Sequence, residues 1–132
     1  MKLSFNHVAF TVSNLEESVK WYEDILGMKQ IFIYEKGSVR FIFMKKDDIT
    51  LELFHFGKDT KPLPSYRKEL MDDLYVVGAK HLCIETDDLD GSIVQLRKKG
   101  VEIAGEIDTA AIGGRFVFFR DCNGILIELY QR

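Results

Sequence analysis

Two histidines and two glutamates stand in matched places along this chain: His7 and His81, Glu52 and Glu128. Each glutamate interrupts a short apolar run, Glu52 in ITLELFHF and Glu128 in ILIELYQR. A carboxylate inside an apolar strand is costly unless a positive charge meets it. Side chains alternate across a strand, so residues i and i+2 share a face. On that rule His7 faces with Phe5, Ala9 and Thr11, and Glu52 with Thr50 and Phe54. His81 faces with Cys83 and Glu85, and Glu128 with Leu126 and Tyr130. In all four strands the opposite face is the more uniformly aliphatic one. If the two polar faces meet, two imidazoles and two carboxylates gather, a ligand set suited to a divalent transition metal such as zinc, nickel, cobalt or iron. The competing reading is ordinary: satisfied core histidines and glutamates in ion pairs. Recurrence of the same pairing favours the metal. His55, opposite Glu52 across its strand, reads as a surface or edge residue. Cys83 reads as a small apolar filler, and Cys122, in the turn DCNG, as exposed.

The elements that must position these residues form a repeat. His7 lies over His81, Leu15 over Leu89 and Ser18 over Ser92, each 74 positions apart, and Glu52 lies over Glu128, 76 apart. Each half reads as strand, helix, then three strands. The first strands are expected over Phe5–Val12 and His81–Thr86. Helix one is expected over about Leu15–Leu26, with Asn14 as N-cap, Glu17 completing a capping box and Gly27 past its end. Leu15, Val19, Tyr22 and Leu26 form its inward stripe. Helix two is expected over about Leu89–Lys99, capped by Asp88, with Leu89, Ile93 and Leu96 inward and Gly100 as its stop. Module one thus covers about 1–56 and module two about 79–132. The connection between them, about 57–78, contains both prolines and is long enough to read as a linker and candidate lid, with a short helix over Tyr66–Leu74.

Composition narrows the function classes. The 132 residues include 18 Lys and Arg against 21 Asp and Glu, so a net charge of −3 gives no electrostatic footprint for nucleic acid or an anionic membrane. The N-terminus, MKLSFNHVAF, lacks the apolar core of a signal peptide, and no run approaches a membrane span. Two cysteines make neither a disulfide framework nor a CxxC site, so reduced thiols and a cytoplasmic location are expected.

With these parts the sequence resembles the vicinal oxygen chelate superfamily, and most of all its small glyoxalase I-like members. The resemblance covers nearly the whole chain. It is carried by NHVAFTV at Asn6–Val12, WYEDILGM at Trp21–Met28, LELF at Leu51–Phe54, KHL at Lys80–Leu82 and FFRDCNGILIELY at Phe118–Tyr130. It implies an α+β fold of two tandem βαβββ modules forming a cupped, mostly antiparallel sheet around a metal site. It implies one divalent metal, zinc or nickel first, with manganese, cobalt or iron also suited, held at the positions of His7, Glu52, His81 and Glu128. The modules pair within one chain or swap across a homodimer. The chemistry implied is metal-dependent proton transfer on a small hydroxy-carbonyl substrate or its thiol adduct, as in a lactoylglutathione lyase-like lyase or isomerase. Glu128 is the first choice as base and Glu52 the second. Glutathione-using members tend to carry arginine four residues past the first histidine and asparagine four past the first glutamate. This chain has Thr11 and Phe56 there, which cannot pair with a glutathione carboxylate as a guanidinium does. Arg40, Arg67 and Arg115 are the cations that could substitute. The alternatives are a metal-dependent thiol transferase of the fosfomycin-resistance type, an extradiol dioxygenase, or a non-catalytic drug-binding module. The complete set of four ligands argues against each.

Overall fold

The computed structural model describes residues 1–132 and resolves the repeat into two βαβββ modules. Module one runs β1 (Val8–Thr11), α1 (Leu15–Leu26), β2 (Lys29–Lys36), β3 (Val39–Lys46) and β4 (Ile49–His55). Two single 3₁₀ turns, Gly57–Asp59 and Ser65–Arg67, and a short helix, α2 (Leu70–Tyr75), follow. Module two runs β5 (Leu82–Glu85), α3 (Leu89–Lys98), β6 (Ile103–Thr109), β7 (Arg115–Arg120) and β8 (Leu126–Gln131). Each module makes one four-stranded mixed sheet, in the order β1-β4-β3-β2 in the first and β5-β8-β7-β6 in the second. The first strand lies parallel to the last and the remaining pairings are antiparallel. The fold class is α+β, as the resemblance implies.

The helices form where side-chain chemistry permits and stop where it does not. Asn14 is extended and accepts from the Glu17 backbone N–H, satisfying a donor the first turn leaves open. Gly27, at φ +67°, donates its N–H back to the carbonyls of Tyr22 and Glu23 and ends α1. In α3 Asp88 accepts from the Gly91 N–H in the same way. Leu15 and Tyr22 of α1 are fully buried against one face of the first sheet, with Leu51, Leu53 and Met44; Val19 and Leu26 are only half-buried. Leu89, Ile93 and Leu96 of α3 are buried on the corresponding face of the second sheet, with Val117, Phe119 and Ile127. The helix-covered faces are therefore the aliphatic ones.

The opening strands are shorter than the pattern suggests. Pairing with β4 begins at Val8, and Phe5 is 74% exposed, so the apolar residues before His7 join no ladder. Likewise β5 begins at Leu82, one residue past His81. The expected linker also has structure of its own. Chain contacts divide at Pro62 and Leu63, and the segment from Leu63 onward belongs with module two. There Asp73, almost completely buried, pairs with Arg67 at 3.2 Å and Lys80 at 3.7 Å. Arg120, at the end of β7, donates to the carbonyls of Arg67, Lys68 and Gly124. Those contacts hold α2 and the preceding turn onto module two, and Arg67 is used up in them.

Candidate metal and proton-transfer site

Register decides what lies beside what. In module one Ala9 is opposite Glu52, and Glu52 is opposite Phe43. His7, two residues before Ala9, therefore looks out over the same face as Glu52. Its Nε2 lies 3.1 Å from Glu52 Oε2. Its Nδ1 lies 2.6 Å from the Asn6 side-chain oxygen, and its ring meets the edge of Phe43 with centroids 5.2 Å apart. Module two repeats the arrangement. Cys83 and Phe118 flank Glu128, His81 Nε2 lies 2.7 Å from Glu128 Oε2, and the ring meets Phe118 at 5.1 Å. The glutamate side chains keep only 11% and 15% of their exposure, whereas the histidines keep 32% and 27%. Each carboxylate is thus sunk in its sheet with an imidazole over it.

The rest of each open face differs. In module one it is a run of aromatic rings: Phe43 against Phe41, Phe41 stacked on Tyr34, and Phe54 stacked on Phe56. Thr11 and Phe56 stand where a glutathione-pairing arginine and asparagine would be, an exposed hydroxyl and a stacked ring. Module two has Phe116 and Phe118, and Tyr130 donates its hydroxyl to the Gly113 carbonyl. Cys83 is not a buried filler. It is exposed at its surface, yet desolvation of the sulfur, then the charge of Glu128 and a hydrogen bond to it, and then Glu85, push its thiol up to about 11. Cys122 is exposed, as the turn suggests.

Arg40 and Arg115, the other two arginines considered from the sequence, are occupied. Arg40 binds Glu16 and Glu35, contacts that raise its own pKa and hold the Glu16 carboxyl below the usual range. Arg115 donates to Asp90 at 2.8 Å and to Gln131 at 2.9 Å. His55 accepts from the Gly57 N–H and takes no part in either pair.

The structure brings His7 to Glu52 and His81 to Glu128. It gathers no three His, Cys, Asp or Glu side chains into a group able to hold a metal. Each pair still fits half of a divalent metal's shell. One imidazole nitrogen and one carboxylate oxygen sit at the separation two ligands share when each lies ~2.0–2.2 Å from one ion. The Asn6 oxygen suits the tautomer with hydrogen on Nδ1, which leaves the Nε2 lone pair toward Glu52. Sequence reasoning missed Asn6, Phe43 and Phe118. Their signal was positional, since Asn6 adjoins the histidine and each phenylalanine lies across from a glutamate in the register.

A match to the model of the glyoxalase/bleomycin resistance protein/dioxygenase superfamily spans residues 4–129. The chain belongs to this superfamily. Among its relatives, human mitochondrial methylmalonyl-CoA epimerase is 30% identical over 96% of this chain and 72% of its own length. Lactoylglutathione lyase of Schizosaccharomyces pombe is 23% identical over 96% of this chain and 47% of its own. Among solved structures, the glyoxalase family protein from Enterococcus faecalis superposes with a TM-score of 0.80 at 22% identity, covering 96% of both chains. The superfamily fold is thus shared along the whole chain, and these two named relatives are enzymes. No helix is long and apolar enough to cross a membrane.

Proposed function

We propose that the protein is a metal-dependent isomerase that moves a proton at the carbon beside a carbonyl, and that epimerisation of a 2-substituted acyl thioester is its closest model reaction. The observation that carries this reading is the 30% identity to methylmalonyl-CoA epimerase over 96% of the chain. The duplicated His–Glu pairs support it chemically, because epimerisation breaks a C–H bond on one face and forms one on the other. Two carboxylates, one in each module, supply the acceptor and the donor, with no net change in oxidation state. This shifts the emphasis from lyase to epimerase within the same proton chemistry.

His7, Glu52, His81 and Glu128 are the residues proposed to hold one divalent ion, zinc or nickel first, within a chain or across a homodimer. When bound, such an ion supplies the Lewis acidity that makes a carbon beside a carbonyl ionisable. The protein's own residues do the rest. Burial in the sheets keeps water from Glu52 and Glu128, and Phe43 and Phe118 hold the imidazoles edge-on. Glu128 is the proposed first base and Glu52 its counterpart. Because Thr11 and Phe56 replace the glutathione-pairing positions, a glutathione adduct is not the proposed substrate. A lactoylglutathione lyase-like reaction with another thiol is the second reading, favoured by the S. pombe relative.

The test is deuterium exchange. Zinc- or nickel-loaded protein is incubated with methylmalonyl-CoA in heavy water, and solvent deuterium at C2 is read by mass spectrometry. Parallel reactions hold methylglyoxal with several thiols. Metal-dependent exchange at C2 supports the epimerase reading, and turnover of only the methylglyoxal adducts moves the assignment to the second. No binding of metal and no exchange in any arm would sink both.

A further inference from the structure

The two half-sites are not equivalent behind the histidines. His7 has the Asn6 oxygen 2.6 Å from Nδ1 on one side and Glu52 3.1 Å from Nε2 on the other. His81 has Glu128 at 2.7 Å from Nε2, but the residue 74 positions after Asn6 is Lys80. The Lys80 ammonium is turned away, donating to the Asp73 carbonyl at 2.7 Å and facing the Asp73 carboxylate. A cation there could not accept from an imidazole N–H in any case. The acceptor present in module one is therefore absent in module two.

We infer that Asn6 is a positioning residue that fixes the Nδ1–H tautomer and ring orientation of His7, making His7–Glu52 the tighter-held half of the metal site. The physical reason is general. A metal-bound imidazole donates its second N–H to a partner, which sets the tautomer and strengthens the ligand, and loss of such a partner typically weakens metal affinity. In module one that partner comes from the adjacent residue. Phe43, edge-on to the ring at 5.2 Å, restricts the same imidazole from a second side. In module two Phe118 lies against His81 at 5.1 Å and Glu128 is at Nε2, but no side-chain acceptor stands at position 80 behind the ring. The inference rests on the proposal that His7 is a metal ligand.

The experiment is zinc affinity by chelator competition on wild-type full-length protein, Asn6→Leu and Asn6→Asp, with long-range ¹H–¹⁵N correlation spectra of the histidine rings. Asn6 is exposed, so these variants should fold, and thermal unfolding of each verifies that they do. The expected result is a roughly 10- to 100-fold loss of zinc affinity in Asn6→Leu and retention in Asn6→Asp, whose carboxylate still accepts. The His7 spectrum of the zinc-loaded wild type and Asn6→Asp should show a protected Nδ1–H that Asn6→Leu lacks. Wild-type binding with equal affinity and an unchanged His7 spectrum in Asn6→Leu would overturn the inference and leave the proposed function standing. Absence of zinc binding by the wild type would overturn both.

Discussion

Module one and module two share a plan and differ in what surrounds it. In the first, the open face beside the His–Glu pair is almost wholly aromatic, Ala9 adjoins Glu52, and Asn6 backs His7. In the second, Cys83 adjoins Glu128, Lys80 stands behind His81, and three charged residues, Arg120, Asp121 and Asp73, are buried. The lesson is that repetition has preserved the pair and not its setting. What stays constant is an imidazole over a sunken carboxylate. What varies is its surroundings, an amide oxygen and aromatic rings in one half and a thiol and a lysine in the other.

The largest expected effect separates the two carboxylates. Glu128→Gln should lower proton exchange by about 10²–10⁴-fold, the range typical for loss of a general acid or base, while still binding metal. Glu52→Gln should also impair exchange but lose more metal affinity, if Asn6 fixes His7 as proposed and makes its pair the firmer half of the site. Exchange kinetics beside metal titration check this, and normal turnover by Glu128→Gln would break the assignment of the base.

Next in size are changes to the supports peculiar to each module. Asp73→Ala should cost about 3 kcal/mol, the low end for breaking a buried pair, since Arg67 and Lys80 can still reach water. Tyr22→Ala should cost about 3–5 kcal/mol through the cavity it leaves, judged by large-to-small aromatic substitutions. Its repeat counterpart, Leu96→Ala, should cost less, about 2–3 kcal/mol, because fewer buried atoms are removed. Urea unfolding of the variants checks all three, and equal costs for Tyr22 and Leu96 would mean the two helices are anchored alike.

A backbone effect follows. Gly114, at φ +80°, has no room for a Cβ, which would meet the Gln131 carbonyl at 2.3 Å and the Tyr130 ring. Gly114→Ala should therefore lower the melting temperature and loosen the hydrogen bond from Tyr130 to Gly113. The counterpart turn in module one, at Gly37, has nothing within 4 Å, and Gly37→Ala should cost less, chiefly through its positive φ. The smallest contrast is in the caps. Asn14→Ala and Asp88→Ala should each cost about 1 kcal/mol, and a similar loss from both would show that the two helix starts are interchangeable.

Much of this was legible in the residues because the signals were local. Caps, glycine stops and the apolar stripes act within one or two turns, and α1 runs over Leu15–Leu26 as the spacing suggests. Face alternation put His7, Glu52, His81 and Glu128 each on the face opposite its aliphatic one, since a period of two leaves no choice once that face is covered by a helix. The strand starts were overextended because Phe5 looks like a core residue, whereas apolar character alone cannot provide a ladder partner. The stretch after Pro62 read as linker because its order comes from Arg120, which lies more than fifty residues farther along the chain.

The sequence by itself determined the repeat, the helix limits and the two faces of each sheet, all set by neighbours close along the chain. Only the tertiary structure decided that each histidine reaches its glutamate, 3.1 Å apart in one module and 2.7 Å in the other. It alone placed Phe43 and Phe118 across from those carboxylates, committed Arg67 and Arg115 to partners within module two, and made Asn6 an acceptor where Lys80 cannot be one. Those outcomes depend on strand register and on side chains meeting across tens of residues. Spacing along a chain limits such meetings, but the packed geometry selects among them.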